Sequence, residues 1–251
     1  MVWTNGEKSK KEGLVLKAVP VKGNDAMITA LGKDGFFSFY ARGAKKMGSK
    51  SFACCSELSY SSFVFSSSST GKLTLSEGDG IEYLFSSDAL EQSFCCMGLQ
   101  EIALKLFHEP EEDTPIETLE YLLQALRAIK KGISPLNATI VALAGFLRLA
   151  GIGLEVGECV NCGKKKDIVT ISYLDGGFLC RDCAEEIGSV KTPVEQLKIL
   201  RFAFACSPSD LPRCQSWQSS DARPLLTGLL DHLENQTGIA CKSLRMMLQA
   251  Q

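Results

Sequence analysis

The spacing of hydrophobic and polar positions changes once along the chain, near residue 85. From Gly13 to Phe85 the apolar residues come in short runs: Leu14-Val15-Leu16, Ala26-Met27-Ile28, Phe36 to Ala41, Phe63-Val64-Phe65, Lys72 to Leu75 and Ile81 to Phe85. Runs of this length, rich in β-branched and aromatic residues, predict five or six strands. Asp34-Gly35 lies between the second and third runs and predicts a two-residue hairpin turn needing positive φ. Ser66 to Gly71 predicts a longer polar hairpin loop. With no helix of length among them, these strands predict a small closed barrel.

Beyond Asp88 the period becomes helical. Ala89 to Phe107 repeats Leu90, Phe94, Met97, Ile102 and Leu106 at helical period. Thr114-Pro115-Ile116-Glu117 and Thr192-Pro193-Val194-Glu195 have the form of capping boxes with proline at the first helical position. Ser134-Pro135 repeats the cap and the proline. The helix after Thr114 carries Ile116, Leu119, Leu122, Leu123, Leu126 and Ile129, then ends at Lys130-Lys131-Gly132. The helix from Pro135 runs to about Ala150 and ends at Gly151. The pattern therefore predicts a helical domain over 86–251, interrupted between 157 and 188.

Composition adds two features. The 251 residues carry 27 basic and 29 acidic side chains, a net of −2, which as a total argues against a nucleic-acid binder. The charge is uneven, however: residues 6–50 hold 10 basic against 4 acidic side chains. The second feature is 11 cysteines, an odd number, with no apolar leader at the start of the chain and no run long enough to span a membrane. A reducing cytoplasm is the expected setting, where cysteines serve metal, catalysis or packing.

Four of the cysteines have a spacing with chemical meaning. Cys159-Val160-Asn161-Cys162 and Cys180-Arg181-Asp182-Cys183 form two C-x2-C knuckles separated by 17 residues. Two intervening residues let both thiolates of a knuckle face one point, and two knuckles supply the four sulfurs of a tetrahedral zinc site. Ile168 to Leu174, Asp175-Gly176-Gly177 and Phe178-Leu179 read as a β-hairpin between them, giving a module that resembles a zinc ribbon. With all four positions filled by protein, the zinc is expected to be structural, one per chain. Cys54, Cys55, Cys95, Cys96, Cys206, Cys214 and Cys241 lie mostly on apolar stretches and are expected in the core.

The basic excess has a focus at Arg42-Gly43-Ala44-Lys45-Lys46-Met47-Gly48-Ser49-Lys50. Four cations punctuated by glycines can follow a phosphate chain; the alternative is a solvated loop. Upstream, Phe37 and Phe39 should face one way and Phe36 and Tyr40 the other. One pair fills the barrel, and the other can offer a stacking surface. Catalysis has no comparable signal. The two histidines, His108 and His232, sit in no motif, and no GxxxxGK[ST], GxGxxG, HExxH or GxSxG occurs. Glu109 to Asp113 reads as a charged loop. A non-enzymatic protein is expected.

Several stretches, in order, resemble the bacterial recombination-mediator family RecO. They are Glu12-Gly13-Leu14-Val15-Leu16-Lys17, Gly23-Asn24-Asp25, Ala41-Arg42-Gly43-Ala44-Lys45-Lys46, Phe146-Leu147-Arg148-Leu149-Ala150-Gly151 leading into Cys159-Val160-Asn161-Cys162-Gly163, and Gly176-Gly177-Phe178-Leu179-Cys180. The resemblance covers nearly the whole chain. It implies an α+β, multi-domain protein: an N-terminal OB-fold β-barrel over 1–85, a helical domain over 86–251, and the four-Cys module over 157–188 inserted in it. It further implies a cytoplasmic, nucleoid-associated DNA repair protein of the RecF pathway that binds single- and double-stranded DNA. Such proteins anneal complementary strands without ATP, work with RecR, and help load RecA onto strands coated by single-stranded-DNA-binding protein, whose acidic C-terminal tail they bind. Carried over, Arg42, Lys45 and Lys46 become DNA-contact candidates, with Lys50, Lys17 and Lys22 behind them. Cys159, Cys162, Cys180 and Cys183 become zinc ligands, and Arg127, Lys130, Lys131 and Arg148 are candidates for the tail pocket. The competing reading is a zinc-containing protein-interaction adaptor without DNA binding, with an enzyme of unknown class behind it.

Overall fold

The computed structural model describes residues 9–67, 72–108 and 115–250. Strands β1 (Ser9–Pro20), β2 (Ala26–Gly32), β3 (Gly35–Ala41), β4 (Ser59–Ser67) and β5 (Leu73–Tyr83) close a barrel in the order β1-β2-β3-β5-β4. Neighbours pair antiparallel except β3 and β5, which run parallel. This is an OB-like topology. Phe37, Phe39, Phe63 and Phe65 fill its interior, with the Phe39 ring 4.9 Å from both Phe63 and Phe65. The expected alternation along β3 holds: Phe37 and Phe39 are buried, while Phe36 and Tyr40 are half-buried on the outside.

Three details depart from the sequence reading. The two runs expected at Lys72 to Leu75 and Ile81 to Phe85 are one strand, β5, which pairs with β4 along its length. Its polar centre, Glu77 to Gly80, has poor strand propensity, but β4 supplies a backbone partner at each step and the ladder prevails. The β2–β3 turn is centred on Lys33 and Asp34 rather than on Asp34-Gly35, with Gly32 paired to Gly35 and Gly35 carrying the positive φ of 93°. A short helix, α1 (Lys50–Cys54), follows β3 where no helix was expected, and it buries Cys54. The tip of the β4–β5 loop lies outside the described residues, as do Thr114 of the first capping box and the acidic run Glu109 to Asp113.

The chain divides into two compact units, Met1–Phe85 with Pro110–Leu119, and Ser86–Glu109 with Glu120–Gln251. In the second, α4 (Pro135–Leu149) is buried from Leu136 to Leu147, and α2 (Leu90–Phe107), α6 (Val194–Ala205) and α7 (Ser219–Thr237) pack around it. Ser134 caps α4 by accepting from the Asn137 N–H, as expected. Helix α3 (Ile116–Lys130) and α4 both end in the paired 6→1 and 5→2 bonds of a Schellman motif. These run from Ile133 to Ala128 and Gly132 to Ile129, and from Ile152 to Leu147 and Gly151 to Arg148.

The apolar repeat read on α2 coincides only in part with its buried positions. Leu90 and Met97 are exposed, and the buried positions are Cys95, Cys96, Gly98, Leu99, Ile102, Ala103 and Phe107. The helix packs against both α4 and α8 (Lys242–Gln249), so cysteine, glycine and alanine occupy faces that a Leu/Met/Phe stripe does not mark. All seven cysteines outside the C-x2-C pairs are buried. Burial pushes the Cys95, Cys214 and Cys241 thiols up to about 12, so they pack as apolar groups. No helix among the described residues is long and apolar enough to cross a membrane.

Candidate nucleic-acid interface and thiolate cluster

The outer face of β1–β3 is built from cross-strand rows. One row is Lys17, Thr29 and Ser38; the next is Val19, Met27 and Tyr40. Beyond them the β1–β2 loop meets the loop that follows β3, where the Lys45 N–H donates to the Asn24 carbonyl at 2.8 Å. That bond places Lys22 at the same end of the barrel as the run from Arg42 to Lys46. Arg42, Lys45, Lys46, Lys17, Lys22 and Lys50 are all exposed. Lys17 lies mid-face and Lys50 opens α1, so four of the six expected cations share one end and two flank it.

The basic loop is anchored by Asp25, which the sequence offers only within the resembling stretch Gly23-Asn24-Asp25 and without a role of its own. Asp25 accepts the Gly43 N–H at 2.8 Å with one carboxylate oxygen and the Tyr40 hydroxyl with the other. The Tyr40 bond, the Gly43 N–H and the nearby Arg42 charge hold the Asp25 carboxyl below its ordinary value. Gly43 sits at φ 64°, and its carbonyl accepts the Ser49 hydroxyl at 2.6 Å. Gly23-Asn24-Asp25 is legible in sequence only as a stretch before the second strand that resembles the family. Its pairing with Tyr40, 15 residues on, exists only once β2 and β3 are in register.

Replacing Asp25 by Ala makes this surface more positive, which by charge alone strengthens polyanion binding. The opposite is expected, because both anchors of the loop are lost and its cations must be ordered at the moment of binding. In fluorescence anisotropy with a labelled oligonucleotide, Asp25→Ala should bind about fivefold more weakly than the unmodified chain. Asp25→Asn, which keeps an acceptor, should fall between the two. Tighter binding by Asp25→Ala would show that net charge, not loop order, controls the surface.

The second unit carries the cysteine cluster. Strands β6 (Glu155–Cys159), β7 (Ile168–Ser172) and β8 (Gly177–Cys180) form a sheet in the order β6-β8-β7, followed by α5 (Arg181–Glu186). The expected hairpin is β7–β8, and β6 is an additional strand, parallel to β8. Cys159 ends β6, Cys180 precedes α5 and Cys183 lies in its first turn, so the second knuckle opens a short helix.

The four Sγ atoms lie within 4.8 Å of one another, and Cys162 Sγ is 3.6 Å from Cys180 Sγ. A tetrahedral thiolate site with metal–sulfur bonds of about 2.3 Å needs sulfurs about 3.8 Å apart, so these residues fit a metal ion. Backbone amides contribute as well. Burial opposes ionisation of Cys159, yet the N–H groups of Cys180, Cys162 and Asn161 bring its thiol down to about 6. Lys164 and Asp182 form an ion pair that links the two knuckles.

The ribbon is fastened to the helices by two residues. Tyr173 occupies a gap left by Gly228 on α7, where a β-carbon would lie 2.2 Å from its ring. His232, 2% exposed, places Nδ1 2.9 Å from the Tyr173 carbonyl and Nε2 2.8 Å from the Ile152 carbonyl. Thr192, expected to cap α6, instead bonds its hydroxyl to Thr170 and accepts the Ile171 N–H, and the cap position falls on Pro193 without a side-chain bond. The ribbon offers better-placed partners than the helix end does. Of the four candidates for an acidic-tail pocket, Arg127, Lys130 and Lys131 share the end of α3. Arg148 donates to the Tyr121 hydroxyl at 2.7 Å, which itself donates to the Cys206 carbonyl at 2.6 Å.

Comparison with known families places these features together. The family model described as "Recombination protein O N terminal" matches residues 7–84, and the one described as "Recombination protein O C terminal" matches residues 88–245. The chain is 31% identical over 176 residues to the DNA repair protein RecO of Bacillus pumilus, covering 69% of this chain and 68% of that protein. It is 27% identical over 246 residues to the DNA repair protein RecO of Bacillus subtilis, covering 96% and 94%. It is also 27% identical over 244 residues to that of Exiguobacterium sp., covering 96% and 95%.

Proposed function

The chain belongs to the RecO family of DNA repair proteins, and on that premise we propose that it is a non-enzymatic recombination mediator that holds DNA on its barrel. The observation that carries this reading is the basic loop Arg42 to Lys46, ordered by Asp25 beside the outer face of β1–β3. Ammonium and guanidinium groups there neutralise phosphates and release counterions, which supplies affinity without reading sequence. A strand held by its phosphates keeps its base edges free to pair with a complement. Annealing then needs no nucleotide hydrolysis, because pairing itself is downhill once phosphate repulsion is neutralised.

The same reading assigns residues 1–85 to DNA, residues 86–251 to the helical domain and 157–188 to the inserted module. It makes the cysteine cluster a structural zinc site, whose metal would hold the ends of β6 and β8 and the start of α5 at one point. RecR, and the acidic tail of single-stranded-DNA-binding protein near Arg127, Lys130, Lys131 or Arg148, complete the set of partners, with RecA loading as the outcome in the cytoplasm.

Strand annealing tests it. Complementary oligonucleotides, bare or coated with single-stranded-DNA-binding protein, are expected to anneal faster with the chain and without ATP. No acceleration, together with no gel shift at low salt, would favour the adaptor reading instead.

A further inference from the structure

The expected DNA contacts lie along the face and toward one end of the barrel. The other end carries a cavity of about 410 Å³ between the start of β1 and the β2–β3 turn, lined by Lys10, Lys11, Lys33, Glu12, Asp34 and Phe37. Glycines let the backbone approach the Phe37 ring closely beside it. A β-carbon on Gly32 would lie 2.8 Å from the Glu12 carbonyl and 3.0 Å from the Phe37 ring, and one on Gly13 would lie 2.9 Å from that ring. Phe37 is a fixed wall, because its other contacts are Phe39, Phe63 and Phe65 in the core. Lys11 Nζ sits 5.3 Å from the Phe37 ring centroid, so one ammonium is drawn over the aromatic face at the opening. Lys10 and Lys33 are exposed, and none of the three ammonium groups forms an ion pair among the described residues.

We propose that this cavity is a second phosphate site, which binds a phosphate of the same DNA strand that the basic loop holds. The inference rests on the DNA-binding reading above and extends it to residues outside the family-derived contacts. Three lysines line one opening, with the Lys11 ammonium over its aromatic wall, and its size suits part of a nucleotide. Glu12 and Asp34 limit what enters. Glu12 already accepts the Tyr60 hydroxyl at 3.2 Å, and the two carboxylates disfavour an anion that is not met by all three lysines. Strand β3 runs from Gly35 beside the cavity to Ala41 before the basic loop, a distance of about 20 Å at 3.3 Å per residue. A stacked strand rising about 3.4 Å per nucleotide covers it in about six nucleotides, within the usual footprint of an OB fold.

The test compares three proteins on a dT12 oligonucleotide across a salt series: the unmodified chain, Lys10→Gln/Lys11→Gln/Lys33→Gln, and the same three positions changed to Arg. The Gln variant is expected to bind about fivefold more weakly at low salt, with the salt slope reduced by about 0.7 for one lost phosphate. The Arg variant should bind like the unmodified chain. In a parallel nuclear magnetic resonance titration, dT12 should shift the amides of Lys10, Lys11 and Lys33, and inorganic phosphate at equal concentration should not. Normal DNA binding with an unchanged slope in the Gln variant would overturn the second site while leaving the first. Amides that respond to inorganic phosphate but not to dT12 would make it a site for the free ion and overturn the proposal. An unmodified chain that fails to bind dT12 at all would overturn both readings.

Discussion

Changing Cys180 to Ser is expected to abolish stoichiometric metal binding and to unfold the ribbon while α4 and its neighbours stay folded. The ribbon's own core is small: Cys159, Leu179, Cys180 and Ala184, with Ile168, Val169 and Cys183 packed on it. Three of those seven residues are among the four cysteines, so little apolar surface remains to offset the ordering of a three-stranded sheet. A four-thiolate zinc site supplies an apparent free energy on the order of 10 kcal/mol at neutral pH, far more than this core does. The fastenings at Tyr173 and His232 lie on the side of α7 and do not replace it. Metal analysis should give one zinc per chain before the change and none after. Amide exchange should show protection lost at Phe178 and Leu179 and kept across Leu136 to Leu147. A full equivalent of metal in the variant, or unchanged protection in the ribbon, would refute a metal-supported module.

The second large effect is expected at the basic loop. Arg42→Ala/Lys45→Ala/Lys46→Ala removes three cations that form no ion pair among the described residues, so little folding stability is at stake. Each phosphate no longer neutralised lowers the salt slope for single strands by about 0.7, so the triple change should lower it by about 2. Affinity at 50 mM salt should fall about 10- to 100-fold and converge with that of the unmodified chain as salt rises. Anisotropy with a labelled single strand at several salt concentrations reads both quantities. An unchanged slope would falsify the assignment of this loop to phosphate.

Much of the architecture is legible in the sequence alone. Alternation separates Phe37 and Phe39 from Phe36 and Tyr40 because a strand has two faces and a closed barrel has one interior. Ser134-Pro135 and the glycines after α3 and α4 mark helix ends through local backbone bonds that need no distant partner. The C-x2-C pairs are legible because metal geometry imposes their spacing. The misreadings share a cause. The polar middle of β5, the two-sided burial of α2 and the diversion of Thr192 to β7 each depend on a partner outside the segment itself.

The candidate site divides in the same way. Sequence by itself determined which side chains are cationic, which cysteines can meet at one point, and that a strand-rich half precedes a helical one, since charge, thiol spacing and periodicity are local properties. Tertiary structure alone decided that Asp25 anchors the basic loop, that His232 fastens the ribbon to α7, and that Lys10, Lys11 and Lys33 line one opening. Those outcomes depend on strand register and helix packing. A net charge of −2 carries no information about them, because binding responds to where charges are held and not to their sum.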